Sequence, residues 1–353
     1  MMDNPLLRRL GIEHPIIAAP MGGGPSTPEL VGAVSNAGGM GSLAGAYLTP
    51  EQIGEEIRAV RALTGRPFAV NLFAGGYHAG IDRAAAPMLA LMREVHAELG
   101  LPAPEAPAVP PDPFEAQLQV VLDARPVAFS FTFGIPPAEA LGRLRAAGIT
   151  VLGTATTVRE GTMLAEAGVD GIVAQGAEAG AHRGTFAGDF DASMVPTLEL
   201  TAGIAAETNV PVIASGGLMD GRDVAAALRA GASAVQLGTA FVPCPESGAA
   251  PVYKEAILAA VDDRTVITRA FSGRHARGFE NAFIRRMRAH EGDILPFPAQ
   301  NTLTRPMRAA AAKTGEPEYL SLWAGTGAAR ARQLPAAELV RMLLDEMREA
   351  MSS

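Results

Sequence analysis

One histidine, His182, stands in a run of small residues, Ala174-Gln-Gly-Ala-Glu-Ala-Gly-Ala-His-Arg-Gly184. A neutral imidazole carries one donor and one acceptor nitrogen, so it can hydrogen-bond an anion or take a proton from carbon or oxygen. Its neighbours favour a flat ligand, because glycine and alanine let such a molecule approach the backbone and glycine permits positive φ in a tight loop. Gln175 and Glu178 add polar groups without bulk. The residues alone also fit a plain glycine-rich turn whose histidine faces solvent.

Two further stretches, Ile213-Ala-Ser-Gly-Gly-Leu218 and Val235-Gln-Leu-Gly-Thr-Ala240, each read as an apolar strand that ends in a glycine-bearing turn. Ser215, Gly216, Gly217, Gln236, Leu237, Gly238 and Thr239 therefore sit at or just past strand ends. The glycines leave backbone N–H groups uncovered, and the Thr239 hydroxyl adds a donor. Each charge-assisted hydrogen bond contributes roughly 1.5–3 kcal/mol, so several together hold a phosphate dianion without a lysine cluster. Tight βα turns with no ligand are the plainer alternative, but the repetition on consecutive strands favours phosphate. A phosphorylated planar cofactor would then lie between these turns and three other strand ends, Pro20-Met21-Gly22, Asn71 and Gln175. The amides of Asn71 and Gln175 offer both donors and acceptors, as a flavin's ring edge requires.

The elements that must position these groups follow from the apolar pattern. Strands are expected at 15–19, 40–44, 67–72, 127–131, 149–153, 169–174, 211–215 and 234–237. Helices separate most of them: Pro28 opens one after Thr27, Thr49-Pro-Glu-Gln opens another with capping-box chemistry, and further ones run from Pro137 to Ala147 and from Val158 to Ala167. Gly148, Gly168 and Gly231 stand where helix C-caps fall. Eight β-then-α units imply parallel strands and suit a closed (β/α)₈ TIM barrel better than an open doubly wound sheet. Gly39-Met-Gly41 leads into a strand instead of following one, so it is no dinucleotide fingerprint.

Two stretches exceed the repeat. Between the third and fourth strands lie a helix, Pro87 to Leu99, and a proline-rich run, 101–111, expected to be an extended linker. After the eighth strand come further helices, a polar segment Gln300-Asn-Thr-Leu-Thr-Arg-Pro306, and Tyr319-Leu-Ser-Leu-Trp-Ala-Gly-Thr-Gly327. The expected organisation is a barrel core at 1–243, a mostly helical segment at 244–330 roofing the active site, and a C-terminal helix at 331–353 packing on the barrel.

Composition narrows the function classes. The 353 residues carry a net charge of −8, which argues against nucleic acid or an anionic membrane as partner. No apolar run is long enough to span a bilayer and the N-terminus lacks a signal-peptide pattern, so a cytoplasmic enzyme is expected. The single cysteine, Cys244, rules out an intramolecular disulfide and multi-cysteine metal sites, and no histidine partner suggests a catalytic thiol. His14, His78, His96, His275 and His290 are scattered, with no metal-ligand spacing. Arg274, Arg277, Arg285, Arg286 and Arg288 read as a solvated helix face, while Arg183, Arg305 and Lys313 are candidates to meet a substrate carboxylate.

Taken together, Pro15-Ile-Ile-Ala-Ala-Pro-Met21, Asn71, the glycine–alanine run through His182-Arg-Gly184, Ala-Ser-Gly-Gly217 and Gln-Leu-Gly-Thr239 resemble the nitronate monooxygenase family, formerly called 2-nitropropane dioxygenases, over residues 5 to 330. Asn301-Thr-Leu-Thr and Leu322-Trp-Ala-Gly-Thr-Gly327 are similar to the group acting on propionate 3-nitronate. The resemblance implies an FMN-dependent barrel that oxidises alkyl nitronates with O₂ to a carbonyl compound and nitrite. It also implies FMN contacts at Asn71, Gln175, Gly180, Gly217 and Gln236 to Thr239, with His182 as the active-site histidine. Three positions depart from the family's pattern: Ala19 and Thr326 stand where glutamine is common, and Ala181 where glycine is. The competing expectation on the same fold is an NAD(P)H-dependent flavin reductase acting on quinones or enoyl thioesters.

Overall fold

The computed structural model describes residues 4–75, 85–107, 111–262 and 264–352. His78 and residues 108–110 of the proline-rich run lie outside the described residues. Eight short strands form the centre: β1 (Ile16–Ala18), β2 (Gly41–Ala44), β3 (Phe68–Phe73), β4 (Ala128–Thr132), β5 (Thr150–Ala155), β6 (Gly171–Gln175), β7 (Val212–Ser215) and β8 (Ala234–Leu237). From β2 to β8 each strand pairs in parallel with the next, and β8 pairs onto β1 with Ile16 opposite Val235. A bridge between Ile17 and Met40 joins β1 to β2, so the sheet is a nearly closed TIM barrel.

Local chemistry sets the helix ends. The Thr27 hydroxyl accepts from the Leu30 N–H at 3.1 Å, and Thr49 and Gln52 cap each other's backbone. At the other ends, Gly148, Gly168 and Gly231 take φ of 74°, 76° and 101°, which a side chain disfavours. Inward side chains near the strand starts, such as Ile17, Ala69, Ala128, Leu152 and Ile213, pack with Leu6, Leu7 and Leu10 of the helix Pro5–Leu10, which plugs that end. The opposite end is left open for chemistry.

The helix between β3 and β4 that packs on the barrel is Phe114–Ala124, through Phe114, Leu118 and Val121. The stretch near residues 87–99, expected to be a helix outside the repeat, is one, Ala85–Glu98. Its Met88, Leu91, Met92 and Val95 share a core with Phe271, Phe283 and Leu295. Residues 101–107 have no regular secondary structure. The final helix, Ala336–Ser352, buries Leu339, Val340 and Leu343 against residues of Pro28–Asn36 and Gly221–Arg229. A Cβ on Gly221 would lie 2.3 Å from the Met347 nitrogen, so a glycine is what lets the helices Gly221–Arg229 and Ala336–Ser352 meet.

Two expectations change. The polar segment Gln300 to Pro306 is not set apart from the helices of this region but is the first half of a 16-residue helix, Ala299–Thr314, with Pro306 inside it. Gln300 and Thr304 face inward and donate to the carbonyls of Ala270 and Phe271, which is why polar residues occupy a buried helix face. The arginine run is not one solvated helix face either. Arg277 lies in the strand Ala276–Gly278 and Arg274 in the turn before it. Only Arg285 and Arg286 lie in the helix Ala282–Met287, with Arg288 in the 3₁₀ turn that follows.

Candidate active site

A cavity of about 660 Å³ lies at the strands' C-terminal ends, within the range of small-molecule sites. Pro20, Met21, Gly22, Asn71, Gln175, Gly180, Ser215, Gly216, Gly217, Gln236, Leu237, Gly238 and Thr239 all line it, and so does His182. Five strand ends far apart in sequence thus meet around one space.

The sequence pattern left His182 in a loop, whereas Ala181–His182 is a two-residue strand added to a small antiparallel sheet. His182 pairs with Ala276 and Ala181 with Arg277, and Val266–Thr268 forms the third strand. Gln175 fixes the other side of this hairpin: its Nε2 donates to the His182 carbonyl at 2.9 Å and its Oε1 accepts from Gly184 at 2.7 Å. Further along, the buried Glu160 carboxylate accepts from the N–H groups of Thr156, Phe186 and Ala187. The histidine is therefore held at both flanks by buried side-chain-to-backbone bonds. Ala181 itself has φ of 62°, a region that non-glycine residues occupy at a cost.

Around the imidazole stand Phe133, Trp323 and Phe297, with ring centroids 5.9, 5.7 and 6.4 Å away. The His182 Nε2 lies 2.7 Å from the Ser272 hydroxyl oxygen. Burial, and then the positive charges of Arg274 and Arg308, push its pKa down to about 3. His182 is therefore neutral at physiological pH. Of the two arginines, Arg308 went unnoticed in the sequence, and Arg274 was read as part of a solvated helix face. The Arg274 guanidinium lies 3.9 Å over the Phe133 ring and donates to the Thr185 carbonyl at 2.8 Å. Arg308 lines the cavity and donates to the Asn301 carbonyl and Oδ1, while its Nε has no partner among the described residues. Both act electrostatically on the Tyr47 hydroxyl, whose pKa burial nonetheless pushes up to about 12. Neither guanidinium forms an ion pair with a carboxylate among the described residues. The cavity thus has a neutral base or donor beside the Arg308 guanidinium, with that of Arg274 close by over the Phe133 ring.

Of the residues expected to meet a substrate carboxylate, Arg183 does not. It points away from the cavity and donates to the carbonyls of Gly176, Gln175 and Ser193, tying the turn after β6 together. Arg305 lines the cavity, and Lys313 is exposed and does not. Cys244 is buried, and burial pushes its thiol up to about 12, which removes it from nucleophilic chemistry. Among the described residues no cluster of three metal-ligating side chains occurs, and no helix is long and apolar enough to cross a membrane.

The glycines separate into two kinds when tested for what a side chain would meet. At Gly180 a Cβ would lie 2.6 Å from the Gly325 nitrogen. At Gly217, with φ of 68°, it would lie 2.8 Å from the Glu178 Cβ. Protein packing accounts for both. Gly238 has φ of −108°, and a Cβ there would meet nothing closer than Ala19 Cβ at 3.6 Å. Nothing in the protein forbids a side chain at Gly238, yet it borders the cavity. The N–H groups of Gly217 and Gly238 donate to no acceptor among the described residues. A strand end kept bare, beside free N–H donors, fits the phosphate end of a flavin nucleotide.

A parallel barrel with its cavity at the strands' C-terminal ends, lined also by residues of an added sheet and helix, is the architecture of a barrel enzyme. The sequence profile of the nitronate monooxygenase family matches residues 4–346. The nitronate monooxygenase of Pseudomonas aeruginosa is 43% identical over 362 aligned positions, covering 98% of this chain and all of that one. The nitroalkane oxidase of Streptomyces ansochromogenes superposes with a TM-score of 0.91 at 40% identity, covering 98% of this chain and 99% of that one. FabK of Thermotoga maritima follows at a TM-score of 0.78 and 28% identity, covering 100% and 98%. The chain belongs to the nitronate monooxygenase family, and it is an enzyme of that kind.

Proposed function

We propose that the enzyme binds FMN and oxidises alkyl nitronates of the propionate 3-nitronate type with O₂, giving a carbonyl compound and nitrite. The observation that carries this reading is the polarity of the cavity. One end offers bare backbone donors at Gly217 and Gly238; the other offers a neutral imidazole flanked by Arg274 and Arg308. When bound, FMN supplies the electron transfer that the side chains cannot. Gly216, Gly217, Gly238 and Thr239 would hold its phosphate, and Asn71 and Gln175 its ring edge. The second N–H of each amide remains available, because only one is used by Ser130 and by His182 respectively.

His182 is the proposed catalytic residue, meeting the nitronate or its parent nitroalkane at the charged oxygens or the α-carbon. Arg274 and Arg308 favour an anion, and two charges suit a substrate that carries a carboxylate as well as the nitronate. Phe133, Phe297 and Trp323 exclude water from the reacting carbon. In this reading residues 244–330 roof a barrel of residues 1–243, and 331–353 close its flank. The reading predicts a yellow protein with about one FMN per chain. With propionate 3-nitronate it should consume O₂ and release nitrite. A colourless protein that takes up no flavin would overturn it.

A further inference from the structure

The Ser272 hydroxyl has a single proton and two places to send it. One is the His182 Nε2 at 2.7 Å; the other is the Arg274 carbonyl at 3.3 Å. On the acceptor side, the Arg274 N–H lies 3.3 Å from the same oxygen. Hydroxyl donors in proteins sit about 2.7–2.8 Å from their acceptors, and 3.3 Å lies beyond the useful range. The geometry therefore sends the serine proton to Nε2. A neutral imidazole that accepts at Nε2 must carry its own proton on Nδ1. That nitrogen has no protein partner, and His182 lines the cavity. Ser272 is 1% exposed and its neighbour Phe271 is fully buried, so the hydroxyl is fixed by the fold and not by solvent.

We propose that Ser272 is a positioning residue that locks His182 in the Nδ1–H form, so that the imidazole presents a donor to the cavity and the site selects ionised nitronates over neutral nitroalkanes. An N–H directed at the cavity stabilises a nitronate oxygen. It cannot accept an α-proton until the ring proton has passed from Nδ1 to Nε2, which also requires the serine proton to swing away to the Arg274 carbonyl, a poorer acceptor position. The two guanidiniums reinforce the choice: a second ring proton would be repelled by both Arg274 and Arg308. The inference rests on the reading of His182 as the residue that meets substrate, but its decisive test needs no turnover.

The test is the ¹⁵N spectrum of the imidazoles in holoenzyme labelled at histidine, with His182 assigned by its loss in His182→Gln. The expected wild-type spectrum shows Nδ1 protonated and Nε2 unprotonated for His182. In Ser272→Ala the Nε2-protonated form should become populated, and Ser272→Thr should restore the wild-type pattern. The ratio of kcat/KM for a nitronate to that for its nitroalkane should fall about tenfold in Ser272→Ala, the size of one lost hydrogen bond. A wild-type His182 protonated at Nε2 would overturn the proposal even if no variant folded. So would a Ser272→Ala protein with the wild-type tautomer and the wild-type substrate ratio. Loss of nitronate oxidation in wild type, with Nδ1 protonated, would instead overturn the functional reading and leave the tautomer assignment standing.

Discussion

The Arg274 guanidinium rests 3.9 Å above the Phe133 ring, and that ring meets the His182 imidazole at nearly a right angle. Phe133 holds a φ of 76°, so its backbone is kept in an unfavourable region to place one ring between a cation and an imidazole. Stacking on an aromatic face steadies the charge without neutralising it.

That arrangement makes the charge on His182 depend on Arg274. Arg274→Gln removes the largest single repulsion, so the imidazole pKa should rise from about 3 toward the ordinary histidine range. Binding of a nitronate should also weaken, as a higher KM. An NMR titration of His182 checks the first and steady-state kinetics the second. An unmoved titration would show that burial and Arg308 set it without Arg274.

The same depression makes acid destabilising. An unfolded histidine takes a proton below about pH 6.5, while the native His182 does so only near pH 3. Between those values the unfolded state binds more protons, so stability falls as pH drops, by up to about 1.4 kcal/mol per pH unit from this group. Urea midpoints of wild type and His182→Gln between pH 7 and 4 should converge or cross as pH falls, since the variant lacks this loss. Parallel curves would contradict it.

Ala181 supplies a stability test at the site's edge. With φ of 62° it pays the left-handed penalty of roughly 1–2 kcal/mol, partly offset by the greater unfolded freedom of glycine. Ala181→Gly should therefore stabilise the protein by about 0.5–1 kcal/mol in denaturant melts. A lower midpoint would mean that packing of the Ala181 methyl outweighs the strain.

Gly217 and Gly238 separate cofactor binding from folding. Gly217→Val should be poorly folded, because its Cβ would meet Glu178 at 2.8 Å in a positive-φ backbone. Gly238→Val has room at Cβ, and should fold but lose flavin. Melting of the flavin-free proteins and flavin content after purification decide the matter. Full flavin in Gly238→Val would place the phosphate elsewhere.

Much of this molecule was legible in the residues. The eight strands fall within about two residues of their expected positions, because short apolar runs bounded by Gly148, Gly168 and Gly231 leave little freedom. The barrel-mouth residues were legible for the same reason: most lie at or just past a strand end. Arg274, Arg308 and Ser272 were not, because the pairing of Ala276 with His182 spans 94 positions and no local period announces it. Gln300 to Pro306 misled by being polar, since their partners are the backbone carbonyls of another segment. Arg183 looked like a ligand group because a buried guanidinium satisfied by three carbonyls has no signature in sequence.

The central claim is that this cavity delivers electrons from a nitronate, and not from a nicotinamide, to a bound flavin. Anaerobic mixing in a stopped-flow spectrophotometer tests it most directly. Propionate 3-nitronate should bleach the flavin band within the time of a turnover, and admitting O₂ should restore the band while nitrite appears. NADH or NADPH under the same conditions should leave the spectrum unchanged. A flavin that ignores the nitronate and bleaches at once with NADH or NADPH would contradict the account.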